Sequence, residues 1–408
     1  MSKIKYFISI IILLCMLLSS CVYAINDQYI WSEETIETSI TESKNVEENQ
    51  NNLNLESGGA ILIEQNTGKV LYTHNEHEKL RPASVTKVMT ILLIMEALDN
   101  GELSLSDRIP CSENASSMGG SQIWLDTKET LTVDEMLKAI CVVSANDCTV
   151  AMAEYLAGSE ESFVELMNKR AKELGMNDTT FKNCHGIDED GHITSAYDIS
   201  VMARELLTKH PTITNYTTIW MDSLRDGQSE LVNTNKLIRN YKGATGLKTG
   251  STSLALYNLA ASATRDGLSL IAVIMKAPTT KLRFAEAQKL LDYGFANYSY
   301  IEFGKQGETV KTLQVEKGVE TTVNAIYETT ASVLLKKGQE KNIVQNININ
   351  EKISAPIEKG EKIGEVSFDL NGEIIATVNL VSDEEIKKVN VWNITTNIYE
   401  KWFNLMRK

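Results

Sequence analysis

The sequence predicts an α+β protein: an antiparallel sheet flanked by helices, then a small all-β domain, then an amphipathic C-terminal helix. Three observations predict it. β-Branched, strand-like segments stand at both ends of the stretch 58–275, with helical patterns between them. From about Ile301 to Val381 the pattern changes to short alternating strands punctuated by Gly-rich turns. In 389–408, Val391, Ile394, Ile398, Trp402 and Leu405 share one broad face with Trp392, Tyr399, Phe403 and Met406.

A chain of 408 residues suggests two domains plus tails, and 43% hydrophobic residues suffice for a sizeable core. The net charge of −14, without a basic cluster, argues against a nucleic-acid partner. At the N-terminus, Lys3 and Lys5 precede an apolar run from Tyr6 to Leu18, small residues, and Val22-Tyr-Ala24. Residues 1–24 read as a secretory signal peptide cleaved after Ala24, too short for a comfortable membrane span. Leu18-Ser-Ser-Cys21 also fits a lipoprotein signal with Cys21 acylated. Either processing puts the protein outside the cytoplasm. Residues 25–53 are acidic and Asn-rich, and read as a disordered linker.

Order is expected from about Asn54. Ala60-Ile-Leu-Ile, the turn residues Asn66-Thr-Gly68, and Val70-Leu-Tyr72 form a hairpin pattern. Val88 to Met95 is apolar on nearly every side, so it reads as a buried helix with Ser84 at its mouth. Thr132 to Leu156 and Glu160 to Leu174 read as two more helices. Gly246 to Thr264 and Leu268 to Met275 read as a second hairpin joined by Arg265-Asp-Gly267, and Thr279 to Tyr298 as a closing helix. The domains expected are therefore 54–298 and 299–388. Of the cysteines beyond residue 24, Cys111, Cys141, Cys148 and Cys184, the middle two sit among apolar residues and read as buried free thiols. No Cys/His spacing resembles a metal site, and His185 and His192 lack a third ligand nearby.

The chemistry resides in three motifs in a fixed order: Ser84-Val-Thr-Lys87, Ser144-Ala-Asn146 and Lys248-Thr-Gly250. The first two patterns recur elsewhere, as in Ser2-Lys-Ile-Lys5 and Ser43-Lys-Asn45. The information is in their order and in separations of 60 and 104 residues. At a helix start, Ser84 and Lys87 lie one turn apart and face the same way. The helix dipole and desolvation both lower the pKa of such a lysine, so a neutral Lys87 could take the Ser84 proton. Ser144 and Asn146 follow an apolar run and can bridge two lysines and hold a substrate backbone; alone, that pattern also fits a helix N-cap. Lys248 opens a strand whose edge can pair with an extended peptide, with Thr249 facing an anionic group. Gly250 would let a substrate backbone approach. The N–H groups of Ser84 and Ser251 could form an oxyanion hole, an element worth about 10²–10³ in rate. This is the equipment of acyl transfer through a serine ester and needs no cofactor.

With these residues in place, the chain resembles the low-molecular-mass penicillin-binding proteins of the D-alanyl-D-alanine carboxypeptidase type, a serine peptidase family. The resemblance runs from about Asn54 to the C-terminus. It is carried by Arg81-Pro-Ala-Ser-Val-Thr-Lys87, Ser144-Ala-Asn-Asp147, Cys184-His-Gly-Ile-Asp188, Ser195-Ala-Tyr-Asp198, Asn233-Thr-Asn-Lys-Leu237, Gly246-Leu-Lys-Thr-Gly-Ser-Thr252 and Tyr257-Asn-Leu-Ala-Ala-Ser-Ala263. Ala244-Thr245 and Cys184 depart from the common pattern without touching the proposed catalytic groups.

The resemblance implies a β-lactamase/transpeptidase-like domain, followed by the β-rich domain and a membrane-associating helix in 389–408. It implies Ser84 as nucleophile, Lys87 as base, and Ser144 with Lys248 as proton relay. Asn146 would hold the acyl chain and Thr249 the terminal carboxylate. The partners implied are peptidoglycan stem peptides, β-lactams as covalent inhibitors, and a membrane surface, at the outer face of the cytoplasmic membrane. A D,D-endopeptidase or transpeptidase would use the same residues on crosslinked peptides. A class A β-lactamase, which needs a glutamate-bearing loop to activate the deacylating water, has no use for a β domain and a terminal helix, and a β-lactam sensor needs a signalling membrane span.

Overall fold

The computed structural model describes residues 53–390, together with Trp402 and Met406. The expected signal peptide, the linker apart from Leu53, and most of the expected terminal helix lie outside the described residues. Trp402 and Met406 are themselves helical and exposed.

Five strands build the principal sheet: β1 (Gly59–Glu64), β2 (Val70–His74), β3 (Ala244–Thr252), β4 (Leu256–Arg265) and β5 (Leu268–Ala277). Their order is β2-β1-β5-β4-β3, with every neighbouring pair antiparallel. All six residues of β1 are buried, so both faces of the sheet are covered. Alternation divides the load. Ile61, Ile63, Ile271, Val273 and Met275 belong to the large core shared with the helices that intervene in sequence. Leu62 and Leu270 meet the helix Thr280–Asn297, where Gly294 leaves room for them; a Cβ there would lie 2.5 Å from Leu270 Cδ1.

The expected second hairpin is in fact three strands. The segment Gly246–Thr264 turns at 253–255, where Thr252 Oγ1 accepts from the Ala255 N–H at 2.9 Å. No glycine or proline marks this turn; a threonine side chain closes it, so the apolar pattern reads straight through.

The buried helix is present as Lys87–Asp99, entered through a 3₁₀ turn at Ala83–Thr86. The single helix expected over Thr132–Leu156 is two, Val133–Val142 and Asn146–Ala157. Thr132 and Glu135 cap the first in a reciprocal capping box. The chain breaks at Ser144, which takes a left-handed φ of 67°. Apolar residues continue on both sides of the break, so periodicity alone does not show it. Helices Glu160–Glu173 and Thr280–Asn297 match expectation, the latter N-capped by Thr279. The four described cysteines are free and buried.

From Tyr298 onward the chain forms a two-stranded ladder, Tyr298–Gly304 with Ala331–Lys336, and a six-stranded sheet. The three strands read from sequence, near 309–315, 321–327 and 374–380, all lie in that sheet. It has its own core of Leu313, Val323, Val366, Phe368 and Leu380, with Phe303 tilted on Phe368 at a 4.8 Å centroid distance.

Because Phe368 is fully buried, Phe368→Ala should cost about 3–5 kcal/mol and lower the melting of the β-rich core by more than about 10 °C. Calorimetry should show that transition fall while the transition of the principal sheet stays in place. One transition moving as a whole would mean that the two cores unfold together.

Candidate active site

Ser84 lies partly exposed in the turn that feeds the buried helix. The turn is strained and held from several sides. Ala83 has a φ of +48°, uncommon for a residue with a Cβ. Asn258, on β4, donates from Nδ2 to the carbonyls of Arg81 at 2.8 Å and Pro82 at 2.9 Å. Thr86 Oγ1 donates to Ala83 O and contacts His192 Nε2, both at 2.8 Å. Nδ1 of His192 accepts from Lys182 N–H, which leaves Nε2 as the ring's donor; burial lowers its pKa to about 4, so the ring is neutral near pH 7. The loop at 183–187 lies directly on the turn: a Cβ at Gly186 would sit 1.9 Å from Ala83 O.

Lys87 is fully buried. Its Nζ lies 3.2 Å from Ser84 Oγ, 2.6 Å from Asn146 Oδ1 and 2.7 Å from His185 O. Burial pulls its pKa well below the usual lysine value, and the charge of Lys248 pulls the same way. A neutral amine fits these contacts: two N–H donate to the two closer acceptors, and the lone pair faces the Ser84 hydroxyl.

The second motif is arranged differently from expectation. Asn146 is engaged at both ends of its carboxamide, with Nδ2 donating to Gly119 O at 2.7 Å. Ser144 caps nothing; its Oγ is buried and has no hydrogen-bond partner. The bridge between the two lysines is therefore half made: Asn146 takes Lys87, and Lys248 Nζ reaches its neighbour's carbonyl, Thr249 O, at 3.2 Å. A buried hydroxyl left unpaired is costly, which marks Ser144 as kept for another partner.

Lys248 is buried on β3, and burial lowers its pKa to about 7, with Arg283 adding to the fall. Thr249 Oγ1 donates to Thr234 Oγ1 at 2.7 Å. Gly250 also has a structural reason that the sequence does not show. Its missing Cβ would lie 2.9 Å from Pro82 O, Ser84 N and Val85 N, so glycine lets β3 press against the Ser84 turn. Ser251, next along, is exposed.

Several contributors carried no role in the sequence reading: Asp147, His185, Thr234, Asn258 and Arg283. Arg283 is buried, donates from Nη1 to Gly250 O and Asn258 O at 3.1 Å, and has its pKa lowered to about 10 by burial. Asp147, His185, Thr234 and Asn258 lie within motifs that carry the family resemblance, while a lone arginine in a helix gives no signal. Among the described residues no group of three or more His, Cys, Asp or Glu could hold a metal ion.

Residues 44–279 match the family model described as D-alanyl-D-alanine carboxypeptidase, and residues 298–388 match the C-terminal domain of penicillin-binding protein 5. The chain is 47% identical over 337 residues to the D-alanyl-D-alanine carboxypeptidase DacF of Bacillus subtilis, covering 82% of this chain and 86% of that protein. Penicillin-binding protein 5 of Haemophilus influenzae is structurally similar, with a TM-score of 0.68 at 30% identity, over 82% of this chain and 98% of that one. So is penicillin-binding protein D2 of Listeria monocytogenes in its ampicillin-bound form, with a TM-score of 0.55 at 31% identity, over 60% and 99%.

The lowered lysine values fix a sign. Unfolded Lys248 keeps its proton to about pH 10.5, whereas folded Lys248 releases it near 7. Between these values the unfolded chain binds more protons, so this group makes stability rise with pH. Urea unfolding at pH 7 and pH 9 should show a smaller rise in Lys248→Gln than in the parent. Equal rises would mean that Lys248 keeps its charge in the fold.

Proposed function

The chain belongs to the D-alanyl-D-alanine carboxypeptidase family of serine peptidases, and from that premise we propose that Ser84 is its nucleophile and Lys87 the base that activates it. The protein is a D-alanyl-D-alanine carboxypeptidase, a hydrolase. The observation that carries the residue assignment is the fully buried Lys87 amine with Ser84 Oγ at 3.2 Å and two stronger acceptors for its N–H groups.

Ser84 Oγ attacks the carbonyl carbon of the penultimate D-alanine of a peptidoglycan stem peptide while neutral Lys87 accepts its proton. The carbonyl oxygen becomes an oxyanion between the N–H groups of Ser84 and Ser251. The close seating of Gly250 on the Ser84 turn supports that placement. The C–N bond breaks, and the terminal D-alanine leaves with a proton delivered through Ser144, whose unpartnered hydroxyl suits a relay between Lys87 and Lys248. Thr249, with the Lys248 amine behind it, receives the substrate's carboxylate. Asn146 holds the acyl chain on exchanging its bond to Gly119 O. Water then attacks the Ser84 ester and restores the hydroxyl. β-Lactams, whose amide mimics the D-Ala-D-Ala bond, acylate Ser84 by the same first step.

The division into 54–298 and 299–388, removal of 1–24, and membrane contact through 389–408 complete the reading, which places the enzyme at the outer face of the cytoplasmic membrane. The lysine-flanked apolar start and the aromatic, basic terminal segment support it. No helix among the described residues is long and apolar enough to cross a membrane.

The mature chain should release free D-alanine from a diacyl-L-Lys-D-Ala-D-Ala tripeptide. Ser84→Ala should abolish release, and Ser144→Ala should lower kcat by about 10²–10⁴ with its fold intact. Release that survives Ser84→Ala would reject Ser84 as the nucleophile.

A further inference from the structure

Trp124 is 77% exposed, the most exposed of the large apolar side chains among the described residues. Its backbone is held from two sides. The neighbouring N–H groups of Ile123 and Leu125 donate to the buried Asp147 carboxylate at 3.0 and 3.1 Å. From the other side, Arg225 donates to Ile123 O at 2.8 Å and Trp124 O at 3.3 Å while bound at both ends to Glu129, at 2.6 and 2.7 Å. Arg225 itself sits at a φ of +56° in the turn between strands Met221–Leu224 and Ser229–Val232. Trp124 also takes a left-handed φ, of 60°. An indole left in water on a braced, strained backbone is arranged to meet something.

The position says what. The same segment begins at Gly119, whose carbonyl holds the Asn146 carboxamide. Ser121 O accepts from Asn146 N–H at 2.6 Å, and a Cβ at Gly120 would lie 2.9 Å from Asn146 Nδ2. Trp124 follows Ser121 by three residues, at most about 10 Å of chain. Along 123–126 burial alternates, so Trp124 and Asp126 are exposed while Ile123 and Leu125 are buried.

We propose that Trp124 and Asp126 select the stem-peptide residue that precedes D-Ala-D-Ala, binding a linear aliphatic side chain that ends in an amine. The methylenes lie along the indole face, and the ammonium meets the Asp126 carboxylate. This rests on the roles proposed for Ser84 and Asn146, because Asn146, which holds the acyl chain in that reading, is bonded to this segment at Gly119 O and Ser121 O.

The test uses the mature enzyme and three acylated tripeptides ending in D-Ala-D-Ala. Their first residue is L-lysine with a free side-chain amine, L-lysine with that amine acetylated, or L-alanine. Trp124→Ala should lower kcat/KM about tenfold on both lysine peptides, about 1.4 kcal/mol, and less than about twofold on the alanine peptide. Trp124→Phe should recover most of the loss. Asp126→Asn should cost about threefold on the free-amine peptide only. Equal losses on all three peptides, or none, would overturn the proposal while leaving the Ser84 reading intact. A parent enzyme that released D-alanine from none of them would overturn both.

Discussion

A lysine taken wholly out of water sets the terms for the structure around it. Lys87 lies at the start of a helix that is apolar on nearly every side, where a charged amine loses its hydration and cannot recover it from hydrocarbon. The contacts that remain come from separate stretches of chain: Ser84 from its own turn, Asn146 from the start of the next helix pair, and the His185 carbonyl from a distant loop. Those stretches must stay in place for the amine to be tolerated. Asn258 ties the turn to the sheet, the Thr86–His192 contact ties it to the 183–192 region, and Gly186 lets that region approach. Each of these contacts has its reason in the cost of an unsatisfied buried amine.

The second lysine makes the first more extreme. Lys87 and Lys248 are both desolvated, and the charge of Lys248 lowers the pKa of Lys87 further, while buried Asp147 opposes the fall. Cys141 does not neutralise Lys248, because burial pushes its thiol up to about 12 and keeps it protonated. With Arg283 behind Gly250, the strand β3 is lined by buried basic groups within a chain of net charge −14. A site poor in counter-charge draws in an anionic ligand. A substrate that ends in a carboxylate supplies what the fold withholds.

How much of this the sequence displays depends on the kind of force at work. Ser84, Lys87, Lys248 and Thr249 were legible because chemistry fixes their type and spacing. The helix Lys87–Asp99 was legible because a run apolar on all sides suits a buried helix and little else. Two features misread from periodicity are both breaks without punctuation: the Ser144 kink inside an apolar run and the threonine-closed turn at 253–255. Periodicity records which face is buried and is silent where the backbone leaves an element with both sides apolar. Gly250 was legible as a glycine that something approaches; that the Ser84 turn approaches it depends on a contact spanning over 160 residues. Arg283, Asn258 and Asp147 act through backbone carbonyls and N–H groups, whose partners leave no residue-type signature. Trp124 reads in sequence as an ordinary apolar residue between Ile123 and Leu125, and only its exposure separates it from them.

The sheet order explains why the site lies where it does. Most of the principal sheet's length is spent on burial, with β1 and β5 covered on both faces. β3 pairs only with β4 and forms an edge of the sheet, and an edge is where an extended peptide can add as a further strand. An edge also invites unwanted pairing, so its exposed run must be short or otherwise occupied. Here five consecutive residues, Gly246 to Gly250, are buried, and exposure begins only at Ser251. Gly250 brings the Ser84 turn against the face of the strand and so places Ser84 beside the edge strand. One missing side chain thus brings an edge strand and Ser84 together. A side chain at 250 would meet Pro82 O and Ser84 N at 2.9 Å and push the strand away from the Ser84 turn.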